Sequence, residues 1–378
     1  MPGVKVAALS LALALLAGAL LVRHVDRELR RHATGVGEEP PHAEYGAGSA
    51  PHQSQNLGRL GHPRADLTPA ELAAFAKGKR LFTVKPPTLG PLYNGETCGA
   101  CHAIPTVGGS GDLAHATYLG PGTESEVTFY QTHALPDWTI PIRPAGVGPR
   151  IAPPLYGLGL IERISDDTIR SACGQGHPGR AKLRPGSLPT NYVARFGLKP
   201  ILGTVVDFVG GELLFNHSVT NPLEGTETSF SRDRDEFPDP EVDRAFAESL
   251  AAFVRGLEPP ERNGTDAVGE VAFRSFGCAT CHVPDLPPAM GVFSDFCAHR
   301  MGEAFADGIV DHGVQSDEFR TTPLWGLRFK NVYLHDGRTA SLQGAILAHS
   351  GEAWSAASAY QNAPSEQRDA LHRYLHSL

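Results

Sequence analysis

The sequence predicts a mostly α-helical protein of two related domains joined by long irregular loops. Apolar residues recur at helical spacing in several segments, whereas few stretches alternate as a strand would. The 42 glycines and 31 prolines indicate extended irregular segments between helices. One short motif, Cys-x-x-Cys-His, occurs twice, from Cys98 and from Cys278, with similar residues around each copy. The 378 residues suffice for two compact domains and a leader.

Each copy of Cys-x-x-Cys-His is the attachment signature of a c-type haem. Two thiols three positions apart can add to the haem vinyl groups, and the histidine that follows can bind the iron. Zinc would need further ligands at finger-like spacing, and a redox dithiol has no use for a following histidine. The sequence therefore predicts two covalently bound haem c groups. Their residues are Cys98, Cys101, His102, Cys278, Cys281 and His282.

Residues 1–31 are predicted to be a signal peptide or a membrane anchor. Lys5 precedes an apolar run at 6–22 that contains a small-residue cleavage site and is nearly long enough to span a bilayer. Residues 32–65, rich in Gly, Pro, His and Glu, are predicted to be a flexible tether. Because bacteria attach haem covalently outside the inner membrane, the body should be periplasmic, either soluble after cleavage or tethered to that membrane.

Matched segments suggest that the two halves arose by internal duplication. Residues 78–82 before the first motif resemble 269–273 before the second, and 154–158 resemble 323–327. Their shared order argues against coincidence among common residues. The predicted domains are a first haem c domain at 66–260 and a second at 261–378.

Three helices can be placed from their ends and their apolar faces. Thr68 should cap a helix that reaches Phe82. A second helix should start at 239–241 and end before 259–260, and a third should run from about Ser365 to the terminus.

Further segments resemble bacterial di-haem c-type oxidoreductases called thiol oxidoreductases. These are relatives of bacterial di-haem cytochrome c peroxidase and of the di-haem enzyme that matures tryptophan tryptophylquinone. The resemblance covers roughly residues 68 to 378. It implies a reactive, peroxide-binding first haem and a six-coordinate second haem that supplies electrons. The segments are 90–94, 108–110, 150–159, 195–197, 299–302, 319–327, 334–338 and 342–349.

The resemblance also implies which residues face each iron. His349 occupies the position of the distal ligand of the second iron, with Met301 as the better alternative and Met290 as the weaker one. Bis-imidazole ligation would favour a lower potential than His/Met ligation. Near the first iron, relatives carry a carboxylate followed by Met in a segment that corresponds to residues 216–222 here, and His217 lies where they keep this acid.

The missing carboxylate leaves the distal face of the first haem open to several interpretations. His217 could act as the distal base, bind the iron, or be an ordinary loop histidine, and Glu212 is the second-choice acid. Trp138 is the candidate electron relay between the haems, whereas Trp325 could be a core residue.

Two further features are open at the level of sequence. The resemblance implies a structural Ca²⁺ between the haems, for which Asn94, Thr321 and Pro323 could supply oxygens. Cys173 and Cys297 could form a disulfide, remain buried thiols, or act as a redox pair.

The predicted function is that of a peroxidase-like periplasmic di-haem oxidoreductase. Its partner would be an electron donor or acceptor such as a small cytochrome or cupredoxin, and its substrate peroxide or a protein. Two alternatives are a non-catalytic di-haem electron carrier and a subunit of a membrane-associated redox complex. A net charge of −8 without a basic tract argues against nucleic acid as a partner.

Overall fold

Helices predominate over strands in the computed structural model, as the sequence predicts. The structure describes residues 57–121, 127–140, 142–180, 192–223 and 235–378. The described residues all fall within one unit, which begins at Asn56. The predicted leader at 1–31 and the tether up to residue 56 lie outside them.

The helices are α1 (Pro69–Thr83), α2 (Cys98–Cys101), α3 (Leu158–Glu162), α4 (Asp166–Ala172), α5 (Val205–His217), α6 (Arg244–Gly256), α7 (Ala267–Ser275), α8 (Leu342–Ala348), α9 (Trp354–Asn362) and α10 (Ser365–His376). Short 3₁₀ turns lie between them, including Cys278–Thr280 in the second motif and Gly351–Ala353 after α8.

The strands are short, and they form small antiparallel sheets within the described ranges. The strand β2 (Thr117–Pro121) lies between β3 (Val127–Tyr130) and β5 (Gly148–Arg150). The sequence did not predict this sheet. The two-stranded pairs are β1 (Leu92–Tyr93) with β4 (His133–Ala134), β6 (Gly179–Arg180) with β7 (Val193–Ala194), and β8 (Ala298–Arg300) with β9 (Glu318–Arg320).

Two of the three predicted helices are confirmed as α1 and α10. Thr68 accepts a hydrogen bond from the amide of Glu71, whose carboxylate accepts one from the amide of Thr68 in return. The predicted start of α6 at 239–241 is wrong. Asp243 is the cap, because the Asp239 side chain instead accepts a hydrogen bond from Thr220 Oγ1.

Residues 57–65, the end of the predicted tether, belong to the folded part. Leu60 is buried, and the amide of Arg64 donates to the carbonyl of Gly256 at 2.8 Å. Apolar side chains at Leu57 and Leu60 supply the contacts that a polar tether would lack.

The helices that precede the two motifs pack in the same way. A Cβ atom at Gly78 in α1 would lie 2.0 Å from the carbonyl of Ser249 in α6. A Cβ atom at Gly269 in α7 would lie 2.1 Å from the carbonyl of Ala370 in α10. Glycine thus permits the same close helix contact in both halves. This similarity supports the duplication, which remains a prediction.

A disulfide connects the two halves. Cys173, directly after α4, and Cys297, just before β8, are joined with a sequence separation of 124 residues. Both cysteines are buried in the larger apolar core. Of the three possibilities left open by the sequence, the structure contains the disulfide. This bond stabilises the fold because it restricts the conformations of the unfolded chain.

Within the described ranges, the helices are all too short or too polar to cross a bilayer. The predicted anchor lies outside these ranges.

Gly269→Ala should destabilise the second half. The added methyl group must displace α10, and overpacking of this kind costs about 1–3 kcal/mol. Chemical denaturation of the haem-loaded protein measures the free energy of unfolding. Val271→Ala on the same helix is the control, because the Val271 side chain is 66% exposed. Equal stability of both variants would contradict the close contact.

Candidate haem sites

The first motif presents its histidine in a defined tautomer. Cys98 and Cys101 lie on α2, which Thr97 caps by accepting from the amide of Ala100 at 3.0 Å. Nδ1 of His102 lies 3.0 Å from the carbonyl of Gly109. A carbonyl can only accept, so Nδ1 carries the hydrogen and the Nε2 lone pair is free for a metal. Burial lowers the pKa of His102 to about 4, which keeps the ring neutral.

The motif opens into a cavity of about 280 Å³. Both cysteines and His102 line this cavity, together with residues of α5. Burial raises the pKa of Cys98 to about 12 and that of Cys101 to about 11. A large cavity beside two unpaired thiols and a neutral imidazole fits a covalently attached haem.

Helix α5 brings both predicted distal residues, Glu212 and His217, to this cavity. Asn216 donates from Nδ2 to the Glu212 carboxylate, and Asn94 donates from Nδ2 to Oδ1 of Asn216 at 2.8 Å. Burial raises the pKa of Glu212 to about 7, although the hydrogen bond from Asn216 opposes this shift. The cavity therefore contains a carboxyl group that can change its charge near neutral pH.

His217 lies against the rim of the motif. Its Nε2 is 3.7 Å from Sγ of Cys98, and its Nδ1 has no regular hydrogen-bond partner among the described residues. Burial lowers its pKa to about 4. A buried ring 3.7 Å from a cysteine of the motif can face a group that is attached there.

A buried charge cluster forms the far wall of the cavity. Arg150 Nη2 lies 2.5 Å from Oδ2 of Asp307, and Lys199 Nζ lies 3.5 Å from Oδ1 of the same carboxylate. All three side chains are nearly inaccessible. Arg150 and Lys199 place two cationic groups at the cavity, which can meet the carboxylates of a haem, and Asp311 lines the same cavity. This cluster could not be predicted from the sequence, because its members are far apart in the chain.

The second motif faces another histidine. Nδ1 of His282 donates to the carbonyl of Phe293 at 3.0 Å, and Nδ1 of His349 donates to that of Ala345 at 2.8 Å. The two ring centroids are 6.5 Å apart. An iron bound to two imidazole nitrogens at about 2 Å each separates the ring centroids by roughly 6 Å. No comparable contact joins the rings of His102 and His217, both of which the structure describes.

The alternative methionine ligands differ in position. Met290 is 59% exposed. Met301 is buried in an apolar cluster with Phe305 and Phe319, against which Ala348 packs. The ring pair thus favours His349 as the sixth ligand.

The Trp138 side chain is 38% exposed and does not line the cavity, so the structure does not support it as a relay between the sites. The number of residues between the motif and Trp138 did not show how deeply the Trp138 side chain would be buried. Trp325 is buried, and its ring lies so close to Gly157 that a Cβ atom there would be 2.6 Å from Cζ2 of the ring. Trp325 therefore lies at a contact between the halves.

The proposed calcium residues do not fit a cation site. The carbonyl of Thr321 accepts from Ser294 Oγ at 2.7 Å and from Arg320 Nη1 at 3.2 Å. The Asn94 side chain is bonded to Asn216 and Thr132. The Arg320 guanidinium at the Thr321 carbonyl would repel a divalent cation, and the hydrogen bonds of the Asn94 side chain lead to Asn216 and Thr132 rather than to Thr321 or Pro323.

A buried histidine between two carboxylates lies beside the second motif. Both nitrogens of His299 face carboxylate oxygens, Nε2 at 2.8 Å from Asp295 and Nδ1 at 2.7 Å from Glu352. Nδ1 also lies 3.8 Å from Sγ of Cys281. Burial lowers the pKa of His299, but the hydrogen bonds and charges of Asp295 and Cys281 outweigh it and raise the pKa. The sequence showed His299 only as part of a family-like segment.

Residues 224–378 match a family model described as "Di-haem oxidoreductase, putative peroxidase". The match contains the second motif and His349. It confirms the predicted resemblance to di-haem oxidoreductases for this part of the chain, and it implies two haem cofactors. No curated protein matches the chain.

Two solved structures are similar to the chain at low identity. Hydrazine synthase of Kuenenia stuttgartiensis is 15% identical, with 86% of this chain and 95% of that chain covered and a TM-score of 0.44. The dihaem peroxidase BthA of Burkholderia thailandensis is 15% identical, with 81% and 86% covered and a TM-score of 0.41. These values carry no conclusion about activity. The comparisons therefore identify residues 224–378 as similar to the di-haem oxidoreductases.

Proposed function

We propose that this protein is a periplasmic di-haem c-type oxidoreductase that reduces peroxide at its first haem with electrons from its second. The single observation that carries this proposal is the asymmetry between the two motifs. His282 faces the ring of His349 at a separation that suits one iron, whereas His102 faces a cavity with a titratable carboxyl group. One site is thus built for electron transfer and the other for a small ligand.

The residues of the first cavity suit the proton transfers of peroxide reduction. When bound, the haem would supply the iron and the electrons for cleavage of the O–O bond. Hydrogen peroxide, two protons and two electrons give two water molecules. Glu212 in its carboxylate form can take the proton of the near oxygen and return it to the far one. Asn94 and Asn216 orient that carboxylate.

Electrons would enter at the second haem from a small cytochrome or cupredoxin. Trp325, buried where the halves meet, is the better-placed relay toward the first haem. The disulfide between Cys173 and Cys297 supports an oxidising compartment such as the periplasm. Oxidation of a protein by the same centre is the alternative reaction.

Two haem groups should remain on the protein after acid–acetone extraction. Mass spectrometry should show the chain plus two haem units, because each motif supplies two thiols for thioether bonds. The Cys278→Ala, Cys281→Ala protein should retain one. Two covalent haems in that variant would contradict the assignment of the second motif.

His349→Ala should convert one low-spin haem to a high-spin or water-bound form, seen in the absorption spectrum. His349→Met should raise the potential of that haem, because a thioether ligand favours reduced iron. Met290→Leu, at an exposed position, is the control. Unchanged spectra and potentials in both His349 variants would transfer the ligand role to Met301.

Glu212→Gln should slow the reaction of the half-reduced protein with peroxide by roughly a hundredfold. In the wild type, the reactive carboxylate forms as the pH rises through about 7, so the rate should increase over that range and then level off. The variant should lose this pH dependence, as measured by stopped-flow absorption.

His217→Ala tests the alternative distal group in the same measurement. We expect this variant to keep the pH dependence, because the pKa of His217 lies near 4. A variant that reacts faster than the wild type would instead show that His217 closes the iron. A wild-type protein that does not react with peroxide, oxidised or half-reduced, would indicate an electron carrier.

A further inference from the structure

We propose that Asp295, His299 and Glu352 form a clamp that holds the two axial histidines of the second haem at a fixed separation. The inference rests on the proposed ligation of that iron by His282 and His349. Asp295 and His299 are almost completely buried, and the Glu352 side chain is 24% exposed. The clamp thus has a buried histidine between two carboxylates, one on the segment of each proposed axial histidine.

Asp295 is attached to the segment that carries the proximal ligand. Its amide donates to the carbonyl of Cys281 at 3.0 Å. The adjoining Ser294 amide donates to Val283 at 2.9 Å, and the carbonyl of Phe293 receives the hydrogen bond from His282. The Asp295 carboxylate therefore moves with the proximal histidine.

Glu352 is attached to the segment that carries the distal ligand. It lies three residues after His349, and its Oε1 accepts from the amide of Arg300 at 3.0 Å. A Cβ atom at Gly351 would lie 2.2 Å from the carbonyl of Arg300, so this segment and β8 are in close contact. Ser350 Oγ also donates to the carbonyl of Met301.

His299 on β8 connects the two segments because each of its nitrogens donates to a different carboxylate. Donation from both nitrogens requires the imidazolium form. Loss of either carboxylate would leave a buried charge without one of its partners, which is strongly unfavourable. The same cost opposes any movement of Glu352 away from His299. Because Glu352 lies three residues after His349, it also opposes movement of His349 away from the iron.

The geometry favours this role over a metal site at the same place. Cys281, Asp295 and His299 could hold an ion in principle. Attachment of haem would convert the Cys281 thiol into a thioether, and both nitrogens of His299 are directed at carboxylates. The cluster then retains too few free donors for a cation.

The test uses the haem-loaded protein with two covalent haems, its ferric absorption and electron paramagnetic resonance spectra, and the potential of each haem. In Glu352→Ala and His299→Gln, the bis-imidazole low-spin signal of the second haem should be lost in part and replaced by a high-spin signal. Added imidazole should restore the low-spin signal, because it occupies the site that His349 leaves. A merely structural substitution would not be rescued in this way.

Arg300→Gln is the matched control. Arg300 lies next to His299 on β8, but its side chain is exposed and pairs with Asp317. Its spectra and potentials should equal those of the wild type. If His299→Gln yields no folded protein, Glu352→Gln, which keeps the size of the side chain, decides the question.

Wild-type spectra and potentials in both Glu352 variants would overturn the clamp while leaving the proposed ligation intact. A wild-type second haem without bis-imidazole ligation would overturn both. Peroxide reduction would remain possible in the first case, so the two failures can be told apart.

Discussion

The arrangement of this protein depends on one kind of hydrogen bond, from Nδ1 of a histidine proposed as an axial ligand to a main-chain carbonyl. His102, His282 and His349 each make this bond, to Gly109, Phe293 and Ala345 respectively. The bond fixes the tautomer and the ring orientation, and it leaves Nε2 available to iron. Two of the carbonyls belong to irregular loops after the motifs, where Gly108 and Phe293 adopt positive φ angles. The loops rich in glycine and proline thus position the ligands.

The difference between the sites arises from what faces each proximal histidine. Helix α8 ends at Ala348 and places His349 opposite His282. Helix α5 instead presents Glu212 to the cavity, one turn before Asn216. Positions four residues apart share a helix face, so the Asn216 side chain can donate a hydrogen bond to the Glu212 carboxylate. The chain thus has a carboxyl group in this cavity although His217 stands at the position where the resemblance predicts the acid.

Local signals in the sequence predicted local structure well. Thr68 and Glu71 bond to each other within three residues, and the motif cysteines lie within one turn, so both could be read from spacing. The ligand role of His349 came from resemblance alone. The structure adds geometric support for it.

Features that depend on distant partners could not be predicted. Asp239 was expected to start a helix, but its partner Thr220 is 19 residues away. His299 gained no role from the sequence because Glu352 is 53 residues away. The depth of Trp138 and the charge cluster of the first cavity depend in the same way on how the chain folds back on itself. The spacing of residues in the sequence cannot predict contacts between residues that are far apart in the chain.

The most direct test of the asymmetry between the sites is the electron paramagnetic resonance spectrum of the fully oxidised wild-type protein with both haems attached. The proposed function predicts one low-spin signal typical of bis-imidazole ligation, from the second haem, and one high-spin signal from a first haem whose distal side is free. Two low-spin signals, of which that of the first haem persists when the second haem alone is reduced, would contradict it.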